Sequence, residues 1–400
     1  MSQDFTHSQT FAAPPAQLYR AFTNSTFLRE WLSDVATTAP RPGGYLFLAW
    51  NDGYYASGQF TSLAENEQVA FSWQGSNMPA PTQVNVRLNP AGEGTLLHLT
   101  HSALGEGDAW AGIAAQVQKG WQQSLENLAS VLTTGEDLRF TRRPMLGIII
   151  GEFNPETAAR LGVPVSEGTR LDSVVEGMGA AAAGLQSDDV IVAVDGLPTT
   201  DFPSLTNALQ AHRAGDTVEV AFYRGPDRLT TAMTLSGRPL PAIPATAGEL
   251  ASIAHHRYDA EEADLATLLA DVSETEASTR PGPGQWHIKD VLAHLIHSER
   301  GWHTWMDGLI GGQEPWYDDF GGNNDARITA TVAAYPTLAN LLTELQRAHT
   351  ESVALLANLP AGFMDHKGSY WRLAYAVLEP AYHHQTHLAQ MQEILAAARQ

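Results

Sequence analysis

The chain has 400 residues, 44% hydrophobic and 17% charged, which is the composition of a folded protein with room for several cores and not of a disordered one. Its net charge of −21 divides as −7 over residues 1–138, −3 over 139–244 and −11 over 245–400, so no segment attracts a nucleic-acid backbone or an anionic membrane. Zero cysteines exclude disulfides, thiolate ligands and cysteine nucleophiles. Residues 1–7 lack the basic start and apolar run of a signal peptide, and the longest strongly apolar stretch, Met145 to Ile150, is far too short to span a bilayer. The expectation is a cytoplasmic protein with neither nucleic acid nor membrane as a partner.

In chain order, Thr10–Ala13 reads as a strand, and Pro14-Pro15 opens a helix over Ala16–Phe22. A short helix follows at Phe27–Leu32. Alternating runs at Tyr45–Trp50, Tyr54–Ser62, Gln68–Trp73, Gln83–Asn89 and Thr95–His101, parted by turn residues, mark an antiparallel meander. Ala111–Leu132 is an amphipathic helix with Ile113, Val117, Trp121, Leu125, Leu128 and Leu132 on one side. His98 and His101 have no partner at metal spacing and read as strand-surface residues.

This order, together with Phe11-Ala12-Ala13-Pro14-Pro15, Trp31-Leu32, Gly43-Gly44-Tyr45, Gly94–Leu99 and Gly120-Trp121, resembles the START-like helix-grip family, in its branch of heat-shock-protein-90 ATPase activator relatives. The resemblance implies a cavity between sheet and long helix for a small apolar molecule. Trp31, Trp50, Trp73 and Trp121 are its candidate lining, or else plain core.

Residues 135–144 form a linker with Arg139, Arg142 and Arg143. Beyond it, Gly179-Ala180-Ala181-Ala182-Ala183-Gly184-Leu185 and Gln186–Gly196 resemble the PDZ family of the bacterial protease-associated type. Helix Ser204–Ala211 and strands Thr217–Arg224 and Leu229–Leu235 complete that pattern. The resemblance implies a groove for an extended peptide or protein C-terminus between the strand after Leu146-Gly147 and the helix bearing Leu205. The peptide carboxylate would be held by the N–H groups of Met145, Leu146, Gly147 and Ile148, with Arg142 or Arg143 adding charge. Ser187-Asp188 departs from the family's glycine-aspartate at a mild backbone cost.

Pro239–Pro244 is a stiff spacer. Helical patterns then run over Ala245–His256, Glu261–Ser273, Ile288–Leu309, Ile328–Asn358 (interrupted near Tyr335-Pro336) and Pro380–Arg399, with a Gly- and Asp-rich connection at Gly311–Asp325. Residues four apart share a helix face, so His383 and His387 can aim at one point.

Trp286–Leu295 with Ser298-Glu299, and His383–Gln390, resemble the DinB-like metal-dependent family. The resemblance implies that His294, His383 and His387 ligate a divalent metal; imidazole suits zinc, nickel, iron or manganese. His384, His287 and His297 also lie at helical spacings and stay open as alternatives. Asp290 and Glu299 read as solvated helix faces.

The expected fold is multidomain α+β: a helix-grip domain over 1–138, a small β-rich PDZ-like domain over 144–238 and an all-α up-and-down bundle over 245–400. The expected function is binding of an apolar small molecule, a peptide and a divalent metal. The alternatives are a metal-dependent thiol transferase or isomerase acting on a small electrophile and, below it, a co-chaperone-like stress protein. Replacing His383 or His387 by alanine is expected to cost the metal and lower the stability of the C-terminal bundle while leaving the first two modules intact.

Overall fold

The computed structural model describes residues 4–210, 212–315, 324–380 and 382–399. Ala211 at the end of one expected helix, Ala381 in another, the centre of the Gly311–Asp325 connection and the first three residues lie outside the described residues. Two compact units result: residues 1–136 with 241–400, and residues 137–240.

The first unit opens with β1 (Phe5–Phe11), α1 (Pro15–Thr23) and α2 (Ser25–Trp31). Asn24 stops one helix and starts the next, its side chain accepting from the N–H groups of Thr26 and Phe27. Six strands follow: β2 (Val35–Thr38), β3 (Tyr45–Ala49), β4 (Tyr55–Ala64), β5 (Gln68–Gly75), β6 (Thr82–Ala91) and β7 (Gly94–Ser102). They form an antiparallel sheet in the order β1-β7-β6-β5-β4-β3-β2. Strand β2 has no local signature: four residues are too few to show alternation, and the strand exists through pairing with β3, from Val35 opposite Ala49. Helix α3 (Ile113–Thr134) lays Ile113, Val117, Trp121, Leu125 and Leu128 on the sheet and ends at Gly135, whose φ of +83° favours glycine.

The second unit holds α4 (Leu138–Thr141), β8 (Ile148–Gly151), α5 (Pro155–Leu161), β9 (Thr169–Val174), α6 (Gly179–Ala182), β10 (Val190–Val194), β11 (Leu197–Pro198), α7 (Phe202–Leu209), β12 (Thr217–Arg224) and β13 (Asp227–Thr234). The sheet runs β13-β12-β10-β9-β8, and among the described residues β8 is an edge strand paired with β9 alone.

The chain then completes the first unit with helices. The two helices expected at 245–256 and 261–273 are one, α8 (Ala247–Leu269), because no Gly or Pro interrupts residues 249–280. There follow α9 (Glu274–Ala277), α10 (Ile288–Ile310), α11 (Asp325–Ala334), α12 (Leu338–Ala357), α13 (Ala361–Met364), α14 (Lys367–Leu378) and α15 (Tyr382–Ala398). The sequence reading did not anticipate α14. The architecture is thus an antiparallel-sheet domain, a β-rich region and an all-helical region, α+β overall.

Candidate metal centre and binding surfaces

Helix α10 starts at a reciprocal cap: His287 Nδ1 accepts from the Asp290 N–H at 3.0 Å, and the Asp290 carboxylate accepts from the His287 N–H at 3.2 Å. The cap fixes where the helix begins, and hence that His294, two turns on, faces α15. There it meets His383 and His387, one turn apart. His294 Nε2 lies 3.0 Å from His383 Nε2, which lies 3.1 Å from His387 Nε2. One ligand atom from each of the three falls within 4.8 Å of the others. His294 is buried, His387 half-buried and His383 exposed, so one side of the cluster faces solvent.

The Gln390 side-chain oxygen accepts from His387 Nδ1 at 2.8 Å, which leaves the Nε2 lone pair turned to the cluster. Burial, then the like charges of His387 and His384, hold His383 below its ordinary pKa, in the neutral form that ligates. A cation at about 2.1 Å from two nitrogens 3.0–3.1 Å apart would see them at roughly a right angle. The donor set fits a borderline divalent cation.

The alternative histidines turn elsewhere. His384 is buried on the other side of α15, with Nε2 3.7 Å from Asp264 and Nδ1 3.9 Å from Glu261. His287 is spent on the cap, and the buried His297 is not part of the cluster.

Asp290 and Glu299 are not solvated faces. Asp290 is buried and paired with Arg280 at 2.8 Å. Glu299 is half-buried and accepts from the Tyr258 hydroxyl at 2.6 Å and from Ser352. Glu299 belongs to a polar seam inside the bundle that sequence reasoning missed. There His349 stacks on Tyr258 and lies 2.9 Å from Glu262, and burial, partly offset by Arg257, pushes Glu261 up to about 6.

In the sheet domain the indole N–H groups of the four candidate tryptophans are engaged. Trp31 donates to the Ala21 carbonyl, Trp50 to the Leu32 carbonyl, Trp73 to the Tyr54 hydroxyl and Trp121 to His101 Nδ1. Trp50, Trp73 and Trp121 form a run of rings with centroids 6.2 and 5.7 Å apart, packed into or against the core. Trp31 borders a cavity of about 30 Å³, which also touches Ala21, Phe27 and Leu128.

His101 corrects the surface reading. It is 1% exposed, takes the Trp121 N–H on Nδ1 at 2.9 Å and faces Thr82 Oγ1 with Nε2 at 2.7 Å. The Thr82 hydroxyl donates onward to the Trp73 carbonyl, so the imidazole donates to Thr82. Burial lowers its pKa to about 4. His98 is half-buried and bonds Ser8.

In the second unit Leu146 and Leu205 are buried in one cluster, with Ile148 packed against it. Gly147, at φ +78°, leaves no room for a side chain: a Cβ would sit 2.2 Å from Met178. Met145 does not serve as a carboxylate donor, because its N–H and carbonyl both pair with Ser236, at 2.8 and 2.9 Å. The expected anion loop narrows to Leu146–Ile148.

On β8, Ile149 and Ile150 are 54% and 40% exposed. Arg143 bonds the Arg139 carbonyl. The backbone departure sits one residue later than expected. Asp188 has φ +68°, and Asp189 is the buried acid, held by Arg224 at 2.7 Å.

Family models match three segments: residues 12–133, Activator of Hsp90 ATPase homolog 1-like protein; residues 144–235, PDZ domain; and residues 257–391, DinB superfamily. Serine protease Do-like HtrA of Lactococcus lactis is 35% identical over 99 residues, 24% of this chain and 24% of that protein. Periplasmic pH-dependent serine endoprotease DegQ of Escherichia coli is 25% identical over 142 residues, 36% of this chain and 30% of that one. The chain thus spans about a quarter of the length of the first of these relatives. Among solved structures, CalU16 from Micromonospora echinospora is similar at 25% identity over 32% of this chain and 74% of its own, with a TM-score of 0.29. The Aha1 dimer from Colwellia psychrerythraea is similar at 23% identity over 32% and 94%, with a TM-score of 0.29.

Proposed function

We propose that this chain is a multidomain binding protein whose bundle takes a divalent cation at His294, His383 and His387. The convergence of three Nε2 atoms on one face carries this reading. The family matches support the rest of it: a small apolar molecule for the helix-grip domain, and an extended peptide or protein C-terminus added to the edge of β8. No helix among the described residues is long and apolar enough to cross a membrane. A cytoplasmic location is part of the proposal and fits the cysteine-free sequence.

The exposed edge of the cluster at His383 favours a second reading, thiol-dependent transfer or isomerisation of a small electrophile. A cation held there would supply acidification of a bound thiol. His294, His383 and His387 would hold it, and Gln390 would keep His387 in its ligating tautomer. Trp286, its ring 5.3 Å from that of His294, would wall one side.

Elemental analysis of untagged protein, followed by cobalt substitution and thiol titration, tests both readings. About one metal per chain is expected. A cobalt spectrum that responds to small thiols selects the transferase, and one blind to thiols selects the binding protein. Absence of metal sinks the centre.

A further inference from the structure

Within the first unit, the sheet domain and the helical bundle meet at a junction that no family match assigns. It is fastened at two separate places. At the turn after α10, Asn24 Nδ2 donates to the Gly312 carbonyl at 2.9 Å, and Thr26 Oγ1 accepts from the Glu314 N–H at 2.9 Å. The Glu314 carboxylate, 6% exposed, is gripped by Arg29 at 3.0 Å, by both Nη atoms of Arg372 at 2.7 and 2.9 Å and by Trp305 at 2.7 Å. Burial would raise the pKa of Glu314, but Arg372 and Arg29 outweigh it and hold the carboxylate ionised.

The second fastening is the start of α14. Ser369 donates to the buried Glu30, Lys367 Nζ donates to the Thr133 carbonyl at 2.8 Å, and His366 packs edge-on against Phe27. Two glycines allow the approach. A Cβ on Gly368 would lie 2.5 Å from Glu30 and 2.7 Å from Val131, and one on Gly135 would lie 2.2 Å from the Lys367 carbonyl. Two fastenings, one made by a bidentate guanidinium, set register and deny the bundle a pivot.

Of the two helices that carry the histidine cluster, α10 runs into this junction and α15 is joined to it through α14. The far end of α10 bears Trp305 and leads to Glu314, and α15 follows α14 across Glu379 and Pro380. The end of α14 is itself tied to α8, where Arg257 donates to the Val377 carbonyl at 2.8 Å.

We propose that the sheet domain and the bundle are one thermodynamic unit, so that a cation held by His294, His383 and His387 also stabilises the sheet domain. Whatever binds only the folded form of a cooperative unit raises the opening free energy of every part of it. The middle region, a separate compact unit, lies outside this linkage. The metal arm of the proposal rests on the assignment of the histidine centre; the cooperativity arm does not.

Hydrogen–deuterium exchange of the full chain, read peptide by peptide with and without zinc, tests it. Zinc is expected to slow exchange in α2 and in the second half of α3, neither of which holds a ligand, by about 5-fold or more. Glu314→Ala should abolish that remote protection while zinc still protects α15, and Ser369→Ala should weaken it if the larger lesion prevents folding. Zinc protection confined to α10 and α15 in the unaltered chain overturns the proposal. If the chain takes up no zinc, exchange across a denaturant series decides instead: α3 and α14 opening with one free energy supports a single unit, and separate openings refute it.

Discussion

One histidine of the sheet domain and three of the bundle make opposite uses of burial. In the sheet domain both nitrogens of His101 are closed into a hydrogen-bond chain, from Trp121 through the ring to Thr82 and on to the Trp73 carbonyl. In the bundle the Nε2 atoms of His294, His383 and His387 are turned on one another. Burial does not separate a site from a core, since His101 at 1% exposure is more deeply buried than His294 at 9%. What separates them is where the ring nitrogens point: outward along a closed hydrogen-bond chain at His101, and at one another in the bundle.

Substitution should separate the two kinds of histidine. His383→Ala or His387→Ala should cost at least about a hundredfold in cobalt affinity by titration, because a ligand matters at least as much as the groups that orient one. His101→Phe should leave the metal content unchanged. Either histidine variant retaining stoichiometric metal would refute the ligand assignment.

His101→Phe should instead cost about 2 kcal/mol in denaturant unfolding followed by tryptophan fluorescence, because it strands the Trp121 N–H and takes away the donor to Thr82 Oγ1. The same histidine predicts an acid response. The unfolded chain takes up its proton near 6.5 and the folded chain only at about 4, so stability is lost as pH falls through that window. The loss should reach about 3 kcal/mol and should be missing in His101→Phe.

Smaller effects sharpen the contrast. Gln390→Leu should weaken cobalt binding about tenfold, and Gln390→Glu should restore it, because either side-chain oxygen can orient His387. Unchanged affinity in Gln390→Leu would show that His387 needs no such help.

Glu261 gives the slightest effect and the opposite slope. Its folded pKa, pushed up to about 6 from 4.5, means that the folded chain binds more protons between those values. Stability there falls as pH rises, by about 1 kcal/mol after allowance for partial exposure. Glu261→Gln should flatten that limb of a melting-temperature profile, and an unaltered limb would assign it to another group.

Most of the fold was legible because it is written locally. Alternation marked β4 to β7, Pro14-Pro15 marked the start of α1, and the uninterrupted pattern of Thr217–Arg224 marked β12 residue for residue. The spacing of His383 and His387 was legible for the same reason. The roles of the buried polar residues were not, because their partners lie far along the chain: Trp121 is 20 residues from His101, and Tyr258 is 41 from Glu299. A short strand such as β2 and a helix such as α14 depend on neighbours that no local pattern names. His384 could be set aside only once α8 placed Glu261 and Asp264 beside it.

The discontinuous first unit has a consequence for synthesis. Glu314 lies 285 residues beyond Arg29. At ribosomal speeds of about 5–20 residues per second, Arg29 therefore waits roughly 15–60 s for its carboxylate. The whole of residues 137–240 is made during that wait and can fold in the interval. Until α14 arrives, the faces of Phe27 and Val131 that meet His366 and Gly368 stand uncovered on the nascent chain, an apolar patch open to premature association.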